Sequence, residues 1–135
     1  MTAFFSFKSI TKTITLCFLS ISFWIQAFDI NNFDGKNAFN LGSQLIEFPA
    51  GIHLLEPSDL GSTTAIIGIH GSNSEGYEWI YPLWKLNSPS SAVYFYRWND
   101  KGCANTSTNL LADSLNKVIK SNPELSAIKV LAHSY

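Results

Sequence analysis

"TTAIIGIHGSNSEG", residues 63–76, is the stretch on which the fold turns. Residues 65–69 are apolar apart from Gly68 and show no polar alternation, a pattern that suits a strand covered on both faces, as in a parallel sheet. The run passes directly into His70-Gly71-Ser72 and the turn-prone Asn73-Ser74-Glu75-Gly76. Two further runs of the same kind lie downstream, residues 92–98 in "SAVYFYRW" and residues 128–132 in "AIKVLAHSY".

Helices are expected between these strands. Residues 77–86, "YEWIYPLWKL", place Trp79, Ile80, Leu83 and Trp84 on one face, with Pro82 as a kink or restart. Residues 109–122 place Leu111, Leu115, Val118 and Ile119 on one stripe, with Ser107 or Thr108 as N-cap and Pro123 just past the end. Strand, helix, strand, helix, strand is the order of βαβ units, so the expected class is α/β. Upstream, residues 28–42 are rich in Asn, Asp and Gly and read as a loop. Residues 44–48 and 52–56 read as the arms of a hairpin joined across Pro49-Ala50-Gly51.

The first 27 residues are set apart from this domain. "MTAFFSFKSITKTITLCFLSISFWIQA" carries Lys8 and Lys12 and no acidic residue, then an apolar run over residues 14–25, then Gln26-Ala27. That is the layout of a secretory signal peptide, with cleavage expected after Ala27 and an uncleaved anchor as the alternative. The apolar run is shorter than the ~20 residues a bilayer span needs, so no stable membrane span is expected after cleavage. Cys17 lacks the small preceding residues of a lipid attachment signal. The protein is expected to be secreted or periplasmic.

One domain is the prior for 135 residues, here residues 28–135. Of nine Lys and Arg, two lie in the first 27 residues, leaving seven against ten Asp and Glu. Without a basic stripe, nucleic acid is not an expected partner. Removing the leader also leaves Cys103 as the single cysteine, and His53, His70 and His133 share no ligand spacing, so no metal site is read. Asn105-Thr106-Ser107 is a glycosylation sequon.

In a parallel sheet, ligands bind beyond the carboxyl ends of the strands. Two of the three buried strands end there in small polar clusters, His70-Gly71-Ser72 and His133-Ser134-Tyr135. Ala132-His133-Ser134-Tyr135 matches the first four places of a small-x-Ser-x-Gly nucleophile elbow, and "IIGIHGS" matches an apolar strand ending in His-Gly. On these two motifs the chain resembles the α/β-hydrolase superfamily in its lipase and esterase-like branch, over roughly residues 44–135.

The resemblance implies Ser134 as nucleophile and the backbone N–H groups of Ser72 and Tyr135 as oxyanion donors, with His70, Gly71 and His133 in support. It implies no cofactor, and a small-molecule or lipid ester as substrate. Family order places the acid and the histidine after the serine, whereas all three histidines precede or adjoin it here, so the sequence is expected to be the inactive amino-terminal part of a longer hydrolase. Trp79, Tyr81 and Trp84 are candidates for an acyl pocket or for packing. Arg97, Trp98 and Asp100 are expected to make structural loop contacts. The alternatives are a thioesterase, peptidase or acyltransferase on the same fold, or a non-catalytic exported α/β interaction protein.

Overall fold

The computed structural model of the protein describes residues 28–134, so the expected leader and Tyr135 lie outside the described residues. The described chain is a mixed α/β fold with a four-stranded sheet and three α-helices. The elements are α1 (Ala38–Glu47), β1 (Gly51–Leu54), β2 (Thr64–Ile69), α2 (Tyr77–Leu86), β3 (Ser91–Arg97), α3 (Ala104–Ser121) and β4 (Ala127–Ala132), with short 3-10 turns at Ile30–Asn32 and Pro57–Asp59. The strand order is β1-β3-β2-β4. β2 runs parallel to both β3 and β4, and β1 is antiparallel to β3.

Alternate residues of the apolar runs supply the two faces of the sheet, which is why β2 and β3 show no polar alternation. Ile66, Val93 and Phe95 face α1 and α2, where Leu41, Leu45, Trp79, Ile80 and Leu83 close one core. Ala65, Ile67, Tyr94 and Tyr96 face α3, where Val118 closes the other with Leu110, Leu111 and Leu115 against it. The neighbours β2 and β3 thus send their helices to opposite faces, the arrangement that opens a crevice beyond the carboxyl ends of the strands. β4 is different. It lies at an edge of the described sheet, and Val130 and Leu131 are 48% and 38% exposed.

Three expectations are corrected. Residues 44–48 are not a hairpin arm, because Leu41 and Leu45, four positions apart, are buried with Gly42 on one face of helix α1, whose close contact with α2 outweighs the local strand signal. β1 pairs instead with β3. Residues 28–42, read as a loop, are in part regular and are anchored: they contain the 3-10 turn at Ile30–Asn32 and the first half of α1. Phe28 and Ile30 are buried, Asp29 Oδ1 accepts from Asn31 N at 2.9 Å, and Asp34 Oδ1 accepts from Lys36 N at 2.7 Å. Helix α3 begins five residues earlier than its apolar stripe, at Ala104 rather than Asn109. Thr108 is therefore inside it, bonding back to Ala104 O at 3.0 Å, and Ile119 leaves the stripe at 49% exposure while Leu110 joins it.

Pro82 sits inside α2 without breaking it, and that helix spans the ten residues its periodicity predicts. Among the described residues no helix is long and apolar enough to cross a membrane.

Candidate active site

The parallel ladder between β2 and β4 sets Ile69 opposite Ala132, and His133 N continues it by donating to Ile69 O at 3.1 Å. Both strands therefore end level, and the turns that follow them meet. A Cβ placed on Gly71 would lie 2.8 Å from His133 O and 3.3 Å from Ser134 Cβ, so only glycine lets the two turns touch. Ser134 has φ 42°, in the left-handed region that a non-glycine residue enters only on a sharply constrained turn. Gly71, Ser72 and Ser134 share a cleft of about 390 Å³ with Ser74, Glu75 and Glu78. Ser72 and Ser134 are both exposed to it. A larger cleft, about 540 Å³, lies at the amino ends of β2 and β3 around Asp59 and Asn87, on the side opposite to the one where α/β sheets place their chemistry.

His70 is 2% exposed and serves as a pin. Its ring stacks between Phe95 and Trp98, at centroid distances of 5.6 and 5.5 Å. Nε2 faces two donors, Trp98 N at 3.3 Å and Arg97 Nη1 at 3.1 Å, so it carries no proton. Nδ1 then holds the proton and donates to Gly71 O at 2.7 Å. The carbonyl of His70 accepts from Trp98 Nε1 at 2.7 Å. Because C=O and N–H of one peptide point oppositely, holding Gly71 O against the imidazole turns the N–H of Ser72 away from it.

Burial, reinforced by the Arg97 charge, pushes the His70 imidazole below its ordinary value of 6.5, partly offset by the Gly71 carbonyl and Asp100. The ring is neutral and committed, which removes it as a general base. The folded state therefore binds fewer protons than the unfolded one below pH 6.5. The stability that neutral His70 provides is complete above that value and is lost as pH falls from 6.5 toward the lower folded value. Thermal melts between pH 7.5 and 5 are expected to show this decline, and His70→Gln to flatten it. An equal slope in both proteins overturns the assignment.

The remaining candidates separate cleanly. Arg97 and Trp98 make the structural contacts expected of them, and Arg97 Nε also donates to Ile46 O at 2.8 Å, tying β3 to the end of α1. Trp79 is core, Tyr81 is 56% exposed, and Trp84 packs on Phe33 at 5.1 Å, so none of the three lines the Ser134 cleft. His53 bonds Pro49 O at 2.7 Å, outside that cleft. Cys103 is exposed at the start of α3, and Asn105 is exposed in its first turn. Among the described residues no group of three His, Cys, Asp or Glu side chains could hold a metal ion.

Glu75 and Glu78, on the cleft wall, were not legible as site residues, since neither the turn-prone segment that holds Glu75 nor the first turn of α2 that holds Glu78 marks where its carboxylate points. No protein-family model, curated protein or solved structure matches the chain.

Proposed function

We propose that the protein is a serine hydrolase of the α/β-hydrolase type, exported by the leader over residues 1–27, which cleaves carboxylic esters through an acyl-enzyme on Ser134. One observation carries the reading: the left-handed turn at Ser134 and the Gly71-Ser72 turn meet in one cleft at the carboxyl edge of the sheet. Acyl transfer needs that pairing. A hydroxyl held out on a sharp turn attacks the carbonyl carbon, and N–H groups fixed nearby receive the charge that develops on the carbonyl oxygen.

In the proposed mechanism Ser134 Oγ forms the bond to the acyl carbon. The N–H of Ser72, turned away from His70, and the N–H of Tyr135, which the family resemblance supplies, donate to the oxyanion. The bond to the alcohol oxygen breaks and the alcohol departs with the proton taken from Oγ; water then cleaves the acyl–Oγ bond, releasing the carboxylic acid and returning a proton to Oγ. His70 is held neutral in the core and His53 lies outside the cleft, while His133 lines the cleft but adjoins the serine within the elbow motif; the proposal therefore takes the general base and its orienting acid from family order, which sets them after the serine.

The cleft also narrows the substrate. A long acyl chain gains about 0.8 kcal/mol for each CH₂ it buries against apolar surface. The walls are predominantly polar, built from Ser72, Ser74, Glu75 and Glu78 with Tyr77 beside them, so they offer little such surface, and Glu78 accepts a hydrogen bond from Ser74. The reading therefore favours short, polar esters over fatty ones. Full-length protein incubated with a fluorophosphonate and mapped by peptide mass spectrometry is expected to carry the label on Ser134. The kcat/KM for p-nitrophenyl esters is expected to fall roughly tenfold or more from acetate to dodecanoate. A label on another residue overturns the nucleophile assignment, and a preference for dodecanoate overturns the substrate class.

A further inference from the structure

The loop after β3 reaches across to the loop after β2. Asp100 Oδ2 accepts the backbone N–H of Asn73 at 2.7 Å and lies 3.5 Å from Ser72 Oγ. Lys101 Nζ sits 3.3 Å from the same carboxylate oxygen and donates to Asn73 Oδ1. One carboxylate and one ammonium thus bracket Asn73 by its backbone and its side chain. Asn73 has φ 57°, a left-handed conformation that needs support from its surroundings. The Asp100 side chain is 12% exposed while that of Lys101 is 65% exposed, so the acceptor is held in place and the cation covers it from the solvent side. The Asn73 N–H bond and the nearby Lys101 hold the Asp100 carboxyl below the usual carboxylate range, so it is ionised at neutral pH.

We propose that Asp100 is a positioning residue that aims the Ser72 N–H at the oxyanion. The inference rests on the reading of Ser72 as an oxyanion donor. Its basis is the geometry of the two planar peptides that flank Ser72. The peptide before Ser72 is pinned through Gly71 O by His70 Nδ1–H, and the peptide after it is pinned through Asn73 N by Asp100. Only the φ and ψ of Ser72 lie between the two pinned planes, so fixing both fixes the direction of its N–H. A bare carboxylate this close would oppose a developing oxyanion, and Lys101 offsets that charge. The useful property of Asp100 is thus its acceptor oxygen and not its charge.

This distinction sets the test, made on the full-length protein. Asp100→Asn keeps an acceptor oxygen without the charge, whereas Asp100→Ala and Asp100→Ser remove the reach to Asn73. Two readouts are taken: hydrogen exchange of the Asn73 amide, and kcat and KM for p-nitrophenyl acetate. In Asp100→Ala, exchange at Asn73 is expected to accelerate about tenfold or more, and kcat to fall roughly 10- to 100-fold with KM within about twofold, the signature of a displaced transition-state donor. Asp100→Asn is expected to keep both within about threefold of wild type.

Wild-type kcat in the alanine and serine variants overturns the proposal, as does a lost kcat with unchanged Asn73 exchange, or an asparagine variant as impaired as alanine. Should Asp100→Ala not fold, the serine variant gives the same comparison. Absence of fluorophosphonate labelling in wild type would instead refute the hydrolase reading itself, and the Asn73 exchange would still report whether the clamp exists.

Discussion

Exchanging Ser134 for alanine is expected to lower p-nitrophenyl acetate turnover by the full-length protein at least about 10⁴-fold, and to abolish fluorophosphonate labelling. The expectation follows from what the side chain does and does not do. Ser134 is exposed, so removing Oγ empties no core position and the melting temperature should move little. Its φ of 42° is a conformation that L-residues enter at a cost of roughly 1–2 kcal/mol. Alanine keeps that cost, whereas glycine relieves it. Ser134→Gly is therefore expected to be as inactive as the alanine variant and at least as stable as wild type. That pairing of inactivity with undiminished stability is expected where a strained conformation serves chemistry rather than folding. Labelling that persists in Ser134→Ala, or a Ser134→Gly protein markedly less stable than wild type, would show that the residue does something else.

The largest effect on stability is expected at the crossing of α1 and α2. A Cβ on Gly42 would lie 2.8 Å from Tyr77 Cβ and nearer still to the Tyr77 backbone. A Cβ on Gly76, which has φ 82°, would lie 2.9 Å from the Gly42 carbonyl carbon. Neither neighbour is the yielding end of a flexible side chain, so both substitutions push one helix off the other. Gly76→Ala combines this clash with a conformational penalty and is expected to cost about 3 kcal/mol or more, a fall in melting temperature on the order of 10 °C.

Gly42→Ala carries the clash alone. Gly61 has φ 99° with no atom within 4 Å of a built Cβ, so Gly61→Ala carries the conformational penalty alone, at about 1 kcal/mol. Gly35→Ala, with neither, should be neutral. The Gly42→Ala/Gly76→Ala double variant should lose less than the sum, because both strain the same contact and the helices need part only once. Denaturant melts of the five proteins give the ranking, and a Gly76→Ala protein no worse than Gly61→Ala would mean that the helices part without cost.

The difference between what was legible and what was not follows from the range of the interactions. β2 and β3 were readable because burial on two faces is written as an apolar run, and α2 because its stripe is complete within ten residues; β4 was readable as a strand, but its run did not reveal that it lies largely exposed at an edge of the described sheet. α1 was not. Its amino-terminal half carries Asn and Gly, residues that favour turns, and its helical state depends on close contact with α2, more than thirty positions away. The meeting of Gly71 and Ser134 was implied by two motifs on strand ends, whereas the sequence does not reveal that β2 and β4 are neighbours with level ends. The His70 tautomer and the Asp100 clamp were out of reach, since each depends on a contact spanning 27 or 28 positions between loops.

The ladder between β2 and β4 has a consequence beyond holding the sheet together. Each residue advances a strand by about 3.3 Å and turns its side chain to the other face. A slip of one step along β4 would carry Ser134 that distance from Gly71 and reverse the side on which its hydroxyl emerges. The pairing of Ile69 with Ala132 therefore acts as a gauge, converting the discrete spacing of backbone hydrogen bonds into the separation of Ser134 from the Gly71-Ser72 turn, the proposed nucleophile and donor. β4 has a partner on one side only among the described residues and adds only Ile128 to the margin of one core, so its fraying would disassemble the proposed site while the buried residues of both cores kept their neighbours in β2 and β3.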